Sequence, residues 1–290
     1  MSRARKRFGQ HFLEPAWVEK VIAAIAPQAD ETFLEIGPGR GALTIPLAAR
    51  AKHVVACEID RDLVTDLRRS NRPNVTIVEG DFLDLSADRV RREFAAAKAA
   101  PTIRVAGNLP YNVASPILFK LVELFGNGIP LADATVMMQR EVADRLTASP
   151  DTKEYGVLSI LIGHAARVER LLALPPGAFR PAPQVRSAVV RLRFHDPDPP
   201  ARDRRVFAAM VQAIFTRRRK TLTNALDAFP LSGALAPAKA LTEAGLDGRK
   251  RPENMTIAEL VRLSDAYGEA DRLEGRKTRK KGDRAGVAVL

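Results

Sequence analysis

The stretch Phe33–Leu43 reads Phe-Leu-Glu-Ile-Gly-Pro-Gly-Arg-Gly-Ala-Leu, an apolar run followed by three closely spaced glycines and a second apolar segment. This pattern predicts a buried strand over Thr32–Ile36, a tight turn, and a helix over residues 42–51. Glycines in such a turn let a ligand approach the backbone where a Cβ atom would collide. The spacing is Gly-x-Gly-x-Gly and the turn contains Pro38, which argues against a turn that binds a pyrophosphate.

Strand-like and helix-like segments alternate on both sides of this stretch. The further predicted strands are His53–Ile59, Val75–Glu79, Ile103–Ala106, Ala134–Met138, Arg167–Leu174 and Ser187–Phe194. The predicted helices are Trp17–Ile25, Arg61–Arg69, Arg89–Ala99, Pro116–Phe125, Arg140–Leu146 and Gly156–Ala166. This alternation predicts an α/β fold with a mostly parallel sheet wrapped by helices on both faces. Ligands of such sheets bind at the carboxyl ends of the strands, where the glycine turn lies.

A proline-rich break at His195–Pro200 divides the chain. We expect residues 1–195 to form the α/β domain and residues 196–203 to form a linker. Residues 204–270 contain only helical patterns and predict a second, smaller, all-helical domain. Its predicted helices are Arg204–Phe215, Lys220–Ala228, Pro237–Ala244 and Ile257–Ala266. Residues 271–290 are basic and lack an apolar stripe, so we expect a disordered tail.

The composition limits the kind of partner. The chain has 290 residues, of which 46% are hydrophobic, and a formal net charge of +12. We therefore expect folded domains and a polyanionic partner, either nucleic acid or an anionic membrane surface. No apolar run is long enough to span a bilayer, and the basic N-terminus lacks the apolar core of a secretion signal. The single cysteine, Cys57, is expected to be buried, and the histidines show no metal-ligand spacing, which favours a cytoplasmic protein without a metal site.

Two acidic residues follow later predicted strands at the same end of the sheet. Glu58 lies 21 residues after Gly37, and an acidic residue at about that distance accepts hydrogen bonds from ribose hydroxyls. Asp81 follows the next strand and could accept a hydrogen bond from an adenine amine, with the Phe82 ring beside it. The alternative for Asp81 is a helix N-cap. Together with the turn glycines Gly37 and Gly39, these residues predict a site for a nucleoside-bearing cofactor.

The tetrad Asn108–Tyr111, Asn-Leu-Pro-Tyr, follows the predicted strand Ile103–Ala106. The Asn108 side-chain oxygen and the Pro110 carbonyl could accept the two hydrogens of a planar exocyclic amine, and the Tyr111 ring could stack on the ring that carries it. Proline fixes φ and has no N–H, which holds that carbonyl outward. The pattern predicts methylation of a non-basic amino nitrogen such as adenine N6. The alternative is a strand-to-helix turn with Asn108 as a cap.

Four segments together resemble one family of enzymes. Residues 5–13, Glu35–Gly39, Gly107–Tyr111 and Phe179–Ser187 are similar to motifs of class I S-adenosylmethionine-dependent methyltransferases, in particular the rRNA adenine N6-dimethyltransferases that modify small-subunit rRNA. The resemblance implies a Rossmann-like class I sheet in residues 1–195 and S-adenosylmethionine as the cofactor. It also implies dimethylation of two adjacent adenosines in the 3′-terminal hairpin loop of 16S rRNA, within a pre-assembled small ribosomal subunit.

The same resemblance assigns cofactor contacts to six residues. They are His11, Leu13, Gly37, Glu58, Asp81 and Asn108. The family usually has asparagine at the position of His11. An imidazole nitrogen cannot both donate and accept as an amide does, and histidine side chains change charge near neutral pH. We therefore predict that cofactor affinity depends on pH.

A second aromatic residue, Phe179, lies in the proline-rich segment 175–183, which suggests a rigid exposed loop. We expect Tyr111 and Phe179 to hold the target ring from its two faces, since stacking contributes about 1–3 kcal/mol per base. The target must leave its stack to enter the site, which favours a loop adenosine. The alternative is that Phe179 is a core aromatic.

Basic runs in two parts of the chain are predicted to bind RNA phosphates. They are Arg5, Lys6 and Arg7 near the N-terminus, and Arg217, Arg218, Arg219, Lys220, Arg249, Lys250 and Arg251 in the predicted helical domain. The alternative is that the four consecutive cations form a solvated helix face. We expect the helical domain to recognise the shape of the RNA and the chain to act as a monomer.

Three other functions remain open from the sequence. DNA adenine and protein glutamine methyltransferases commonly use Asn-Pro-Pro-Tyr or Asp-Pro-Pro-Tyr, so Leu109 and the segment at Phe179 argue against them. A relative that methylates large-subunit rRNA shares the general fold. A non-catalytic assembly or nucleic-acid-binding factor would keep the fold without the chemistry. The intact Asn108, Tyr111, Phe179 and Glu58 argue against it.

Overall fold

The computed structural model describes residues 11–70, 72–97, 100–233 and 235–269. The chain forms two compact units. Unit 1 comprises Met1–Thr147 and Ala165–His195, and unit 2 comprises Ala148–His164 and Asp196–Leu290. None of the helices in these described ranges is long and apolar enough to cross a bilayer.

The strands of the described residues all belong to unit 1. They are β1 (Phe12–Leu13), β2 (Thr32–Ile36), β3 (His53–Glu58), β4 (Val75–Glu79), β5 (Ile103–Asn108), β6 (Leu131–Gln139), β7 (Ala166–Leu174), β8 (Phe179–Arg180) and β9 (Ser187–Phe194). Seven of them form one sheet in the order β4-β3-β2-β5-β6-β9-β7. The first five in this order are parallel, and β9 runs antiparallel to both of its neighbours. The predicted α/β fold with a mostly parallel sheet is confirmed.

Helices cover the sheet, and strand β2 is buried along its whole length. The helices of unit 1 are α1 (Pro15–Ile25), α2 (Thr44–Ala48), α3 (Arg61–Arg69), α4 (Ala87–Ala96), α5 (Ala114–Gly126) and α6 (Arg140–Leu146). Helix α3 is an example of how the sequence specifies these helices. The Asp60 side chain caps its N-terminus, and Leu63, Val64 and Leu67 form its buried face. Strands with both faces covered are mostly apolar, and β2 fits this pattern except for the buried Thr32 and Glu35.

The strand register brings the functional segments to one edge of the sheet. Ile36 pairs with Cys57 on one side and with Gly107 on the other, so β2, β3 and β5 end at the same level. A Cβ atom on Gly107 would lie 2.6 Å from the Ile36 carbonyl oxygen, so only glycine fits this pairing. The glycine turn, Glu58 and the Asn-Leu-Pro-Tyr tetrad therefore meet at the carboxyl edge.

Strand β1 pairs with β8 in a separate two-stranded ribbon, in which Leu13 lies opposite Phe179. Both side chains belong to the core of unit 1, and Phe179 is 0% exposed. The prediction that Phe179 lies in an exposed loop is therefore wrong in this structure. The prolines around it do form an irregular segment, but the β1–β8 pairing turns the ring into the core.

Unit 2 is helical. Its helices are α7 (Val157–Gly163), α8 (Arg204–Thr216), α9 (Leu222–Leu226), α10 (Pro237–Ala244) and α11 (residues 257–269). Residues 148–164 pack here, since Tyr155 and Ile160 are buried in the unit 2 core and the Tyr155 hydroxyl donates to the Met255 carbonyl at 2.8 Å. Sequence patterns placed residues 1–195 in one domain, whereas the structure assigns Ala148–His164 to unit 2. The predicted tail, residues 271–290, lies outside the described residues.

Candidate active site

A pocket opens at the carboxyl edge of the sheet in unit 1. Its lining includes every residue for which the sequence predicts a cofactor contact: His11, Leu13, Gly37, Gly39, Glu58, Asp81, Phe82 and Asn108. Pro110 and Tyr111 also line it, whereas Phe179 does not. The structure therefore brings together the cofactor residues and three of the four predicted catalytic residues. The binding roles of these residues stay predictions.

Glu58 links the glycine turn to strand β3. Its Oε2 accepts a hydrogen bond from the Gly39 amide at 3.0 Å, and its Oε1 accepts one from the Asp60 amide at 2.9 Å. The side chain is 5% exposed, and this burial raises its pKa despite the two backbone amides that lower it. A carboxylate oxygen has two lone pairs, so each oxygen can still accept a ribose hydroxyl.

Asp81 caps a short 3-10 helix, Phe82–Asp84, through a hydrogen bond from the Leu83 amide to Oδ1 at 2.9 Å. The alternative role as an N-cap is thus confirmed, and Asp81 still lines the pocket. Phe82 is buried at the pocket wall. Cys57 is buried as expected, and burial, with a smaller effect of Glu58, raises the pKa of its thiol to about 12. Cys57 is therefore a thiol rather than a nucleophilic thiolate at neutral pH.

Asn108 is held in one orientation. Its Nδ2 donates to the main-chain carbonyl of His11 at 2.7 Å. Because a carbonyl can only accept, the amide nitrogen must face His11, and the amide oxygen is left as an acceptor on the other side. The cap role considered for Asn108 is not observed, since the N-cap of α5 is Val113.

Pro110 and Tyr111 form the rest of the tetrad site. The Pro110 carbonyl accepts the Val113 amide at 3.1 Å, which leaves one of its two lone pairs for a second donor. The Tyr111 hydroxyl shares a 2.6 Å hydrogen bond with the Ser187 hydroxyl at the start of β9. Burial raises the pKa of Tyr111, so the phenol stays neutral at physiological pH. The ring position is thus fixed from a neighbouring part of the sheet.

The structure gives His11 a role that the sequence did not indicate. Its ring stacks on Tyr111, with centroids 5.2 Å apart and planes inclined by 25°. Its Nδ1 lies 2.7 Å from the Pro181 carbonyl oxygen and donates to it. His11 therefore joins the tetrad to the proline-rich segment after β8, and it covers one face of the Tyr111 ring. Ser187 was missed in the same way, because its contact with Tyr111 spans 76 positions.

Glu35 is a second pocket residue that the chemical reasoning did not single out. It is 1% exposed, and its Oε2 has no hydrogen-bond partner among the described residues. Burial, with a smaller contribution from the Glu58 carboxylate, raises its pKa to about 8, although Thr44 opposes this shift. The signal available in the sequence was an acidic residue inside an otherwise apolar buried strand.

The basic residues of unit 2 differ in what they contact. Arg218 is half-buried and donates to the Glu253 carboxylate and to the Thr152 and Lys153 carbonyls. The other predicted phosphate-binding residues of this unit are exposed. Arg217 donates to the Asn224 carbonyl, Arg249 pairs with Asp247, Lys250 with Glu259 and Arg251 with Glu253. Within the described part of the chain, Arg219 and Lys220 have no side-chain partner. Arg5, Lys6 and Arg7 lie outside the described residues.

The pocket suits a nucleoside cofactor that carries positive charge. Its described lining contains three carboxyl groups, from Glu35, Glu58 and Asp81, and no lysine or arginine. One carboxyl oxygen of Glu35 is buried without a partner. A sulfonium or ammonium group would stabilise these acids, whereas a pyrophosphate would be repelled by them. The donor set therefore fits S-adenosylmethionine.

Comparison with known proteins identifies the family. A family model described as ribosomal RNA adenine dimethylase matches residues 1–268. A protein of Alcanivorax borkumensis called ribosomal RNA small subunit methyltransferase A is 41% identical over 91% of this chain and 90% of its own length. A protein of the same name from Acinetobacter baylyi is 42% identical over 91% of this chain and 92% of its own length.

Solved structures have the same fold. A dimethyladenosine transferase from Plasmodium falciparum superposes with a TM-score of 0.72 at 22% identity, covering 90% of this chain and 98% of that one. The 23S rRNA methyltransferase ErmE superposes with a TM-score of 0.59 at 25% identity, covering 89% and 99%. Because the family model spans nearly the whole chain and both relatives exceed 40% identity, this chain belongs to the ribosomal RNA adenine dimethylase family and is an S-adenosylmethionine-dependent rRNA adenine N6,N6-dimethyltransferase.

Proposed function

We propose that this enzyme dimethylates N6 of two adjacent adenosines in the 3′-terminal hairpin loop of 16S rRNA, within a pre-assembled small ribosomal subunit. The names of the two bacterial relatives support the small subunit as the substrate. The reaction takes place in the cytoplasm, late in small-subunit biogenesis. We also propose that the enzyme acts as a monomer.

The orientation of Asn108 carries this proposal. Its Nδ2 is fixed on the His11 carbonyl, so its Oδ1 is the atom available to a base. Adenine N6 carries two hydrogens and no accessible lone pair for a donor, so it requires acceptors. Asn108 Oδ1 accepts one N6 hydrogen, and the free lone pair of the Pro110 carbonyl accepts the other.

Tyr111 provides the stacking surface for the target ring. Its hydroxyl is held by Ser187, which restrains the ring. The stacked pair of His11 and Tyr111 leaves no space for a base between the two rings at a centroid distance of 5.2 Å. The adenine therefore stacks on the other face of Tyr111 or takes the place of the His11 ring. Phe179 has no part in this arrangement as long as it stays buried in the core.

Catalysis rests on position and charge. S-adenosylmethionine supplies an electrophilic methyl group on a sulfonium. The N6 lone pair is delocalised into the ring, and two acceptors on the N6 hydrogens orient it toward that methyl group while they stabilise the charge that develops on nitrogen. N6 loses one proton to solvent with each methyl group gained. The pocket holds no lysine or neutral base beyond His11 among its described lining residues, so a strong base is not part of the proposal.

Unit 2 binds RNA through phosphate contacts. Arg219 and Lys220 are exposed at the turn before α9, and the Leu222 amide donates to the Lys250 carbonyl at 2.7 Å. This bond brings the basic run Arg249–Arg251 beside the basic run Arg217–Lys220, although the two are distant in sequence. Converging cations from two segments favour a phosphate-binding surface over a plain solvated helix face.

The decisive experiment uses S-adenosylmethionine with a labelled methyl group and small ribosomal subunits that lack the modification. After digestion of the RNA to nucleosides, we expect label in N6,N6-dimethyladenosine. Asn108→Ala should abolish it, because N6 then has no side-chain acceptor. Large ribosomal subunits and protein-free 16S rRNA, assayed in parallel, should receive little label.

Other outcomes would change the proposal in defined ways. Label in large-subunit RNA would mean that this enzyme methylates 23S rRNA instead, like the structurally similar methyltransferase ErmE. Equal labelling of protein-free 16S rRNA would remove the requirement for a pre-assembled subunit. Binding of subunits without any transfer would indicate an assembly factor that has lost the chemistry.

A further inference from the structure

Glu35 lines the pocket, and the fold provides no hydrogen-bond partner among the described residues for one of its carboxyl oxygens. It precedes the glycine turn, lines the pocket, and is 1% exposed. Its Oε2 has no partner, and the Thr44 hydroxyl beside it completes no hydrogen bond of normal geometry either, within the described residues. A structural carboxylate in a core is normally paired with a cation or with several N–H donors. The unsatisfied oxygen belongs to a residue that lines the pocket.

The surroundings of Glu35 favour its neutral form in the absence of a ligand. The side chain is removed from water, and the nearest charged group that acts on it is another carboxylate, Glu58. Both effects oppose ionisation and outweigh the hydrogen bonding of Thr44, which favours it. They raise the pKa of Glu35 to about 8, so the protonated form predominates at pH 7.

Glu58 lies in a different environment, although it is also an acid of the pocket. Its two oxygens accept the Gly39 and Asp60 amides. Hydrogen bonds from N–H groups stabilise a carboxylate. Burial raises the pKa of Glu58 as well, but the two amides oppose that rise and occupy both of its oxygens. Glu35 has an oxygen without a partner among the described residues, so we expect its charge to respond more strongly to a charge in the pocket.

The reaction itself changes that charge. Before methyl transfer the pocket must hold a sulfonium, and after it the pocket holds a neutral thioether. A cation near a buried carboxyl favours its ionised form by about 1–3 pKa units, and the effect is strong because water is excluded. Both ligands carry the same α-ammonium group, so the charge on sulfur is what differs between them, and the neutral thioether lacks the stabilisation that the sulfonium adds.

We propose that Glu35 is the positioning residue by which the pocket distinguishes S-adenosylmethionine from S-adenosylhomocysteine: it is ionised opposite the sulfonium and protonated when the thioether is bound. Binding of the sulfonium form releases one proton from Glu35 to solvent. On transfer, N6 forms the new C–N bond and gives one proton to solvent, the S–C bonding pair stays on sulfur, and Glu35 takes one proton back from solvent. The ionised form favours the cofactor, and its reprotonation weakens the hold on the product.

Other groups that titrate or carry charge face the same space and must be separated from Glu35. They are Cys57 and Glu58 from β3, Asp81 after β4, Tyr111 after β5 and His11 before β1. Arg40 of the glycine turn does not line the pocket but lies over the ring of Phe12, which does. Cys57 and Tyr111 have raised pKa values and stay protonated at neutral pH. His11, Glu58 and Asp81 are therefore the alternatives to be tested.

The test is calorimetric and needs no RNA, so it does not depend on which rRNA is the substrate. Binding of S-adenosylmethionine and of S-adenosylhomocysteine is measured at pH 7 in phosphate and in Tris, whose different ionisation enthalpies reveal the number of protons released. For the wild-type chain we expect up to about one proton released with S-adenosylmethionine and clearly fewer with S-adenosylhomocysteine. Glu35→Gln should abolish this difference and reduce the preference for the sulfonium form by about tenfold. Glu58→Gln, Asp81→Asn and His11→Asn should retain the difference, although they weaken binding.

A second measurement requires no variant and keeps the proposal testable if Glu35→Gln fails to fold. The wild-type Kd for S-adenosylmethionine should fall by up to about tenfold per pH unit between about pH 6 and 8 and then level off, while that for S-adenosylhomocysteine changes clearly less. Equal proton release with both ligands would overturn the proposal. So would loss of the difference in Glu58→Gln, Asp81→Asn or His11→Asn instead of Glu35→Gln.

Discussion

The side-chain amide of Asn108 donates to the main-chain carbonyl of His11 at 2.7 Å, across 97 positions of sequence. This bond ties the catalytic tetrad to the segment that enters β1, and it can be separated from the acceptor role of Asn108. Asn108→Asp keeps an acceptor oxygen but replaces the donor by a second acceptor, which repels the carbonyl. We expect cofactor affinity to fall about tenfold, since a buried hydrogen bond is lost.

Asn108→Ala is the matched comparison, because it removes the tether and the acceptor together. Methyl transfer should disappear in Asn108→Ala and persist at a low level in Asn108→Asp. Calorimetry of cofactor binding and single-turnover transfer would measure both. Unchanged cofactor affinity in Asn108→Asp would show that the tether does not support the pocket.

The bond between the Tyr111 and Ser187 hydroxyls predicts that two different substitutions have the same effect. Tyr111→Phe and Ser187→Ala both remove it but leave the ring, so each should reduce transfer only a few-fold, with about 1 kcal/mol lost from the free energy of unfolding. The double variant should be no worse than either one. Tyr111→Ala removes the stacking surface and should cost a further 1–3 kcal/mol, about five- to 150-fold, in transfer. Additive losses in the double variant would contradict this account.

Adjacent arginines in unit 2 should separate stability from RNA binding. Arg218→Ala leaves the Glu253 carboxylate and two carbonyls without their donor, and we expect about 1–3 kcal/mol less stability. Arg219→Ala should leave the unfolding midpoint unchanged but weaken subunit binding and reduce the slope of log K against log salt by about 1. Urea unfolding and binding at several salt concentrations measure the two effects. An exchange of the two phenotypes would refute the assignment.

Gly107 is expected to tolerate no side chain. Gly107→Ala would place a Cβ atom 2.6 Å from the Ile36 carbonyl oxygen, at the last residue pair of strands β2 and β5. We expect a loss of about 1–3 kcal/mol in the free energy of unfolding and a loss of cofactor binding, because the Gly37 turn would shift. Gly177→Ala is the control, since nothing lies within 4 Å of its Cβ position. Similar thermal midpoints for the two variants would show that the strand pair can move apart.

Sequence patterns predicted the sheet and the pocket well for a physical reason. Buried parallel strands are continuous apolar runs, and their carboxyl ends carry the ligand-binding residues, so Gly37, Glu58, Asp81 and Asn108 could be placed together without coordinates. The predictions that were wrong depended on contacts between residues distant in sequence. The register of β1 with β8 decides that Phe179 is in the core, and no local pattern reports it.

The observed boundary between the two units differs from the expected one for a related reason. Residues 148–164 follow unit 1 in sequence, but Tyr155 and Ile160 find their apolar partners in the core of unit 2. Periodicity shows that a helix has an apolar face and does not show which core receives it. In the same way, the run Arg217–Lys220 appeared uniform in sequence, whereas Arg218 alone of the four is half-buried against Glu253.

The raised pKa of Glu35 makes a prediction about folding that is independent of cofactor. In the folded chain its pKa is about 8, against an ordinary value of 4.5. Between these values the folded state holds a proton that the unfolded chain has released, so a rise in pH favours unfolding. The free energy of unfolding should therefore decline by up to about 1.4 kcal/mol per pH unit over this window through Glu35 alone.

Glu35→Gln removes the decline, so the stability of this variant relative to wild type should increase from pH 5 to pH 8. Glu19→Gln, at an exposed position, is the control, and urea unfolding at four pH values is the measurement. Parallel pH profiles for Glu35→Gln and wild type would mean that Glu35 is already ionised in the folded chain.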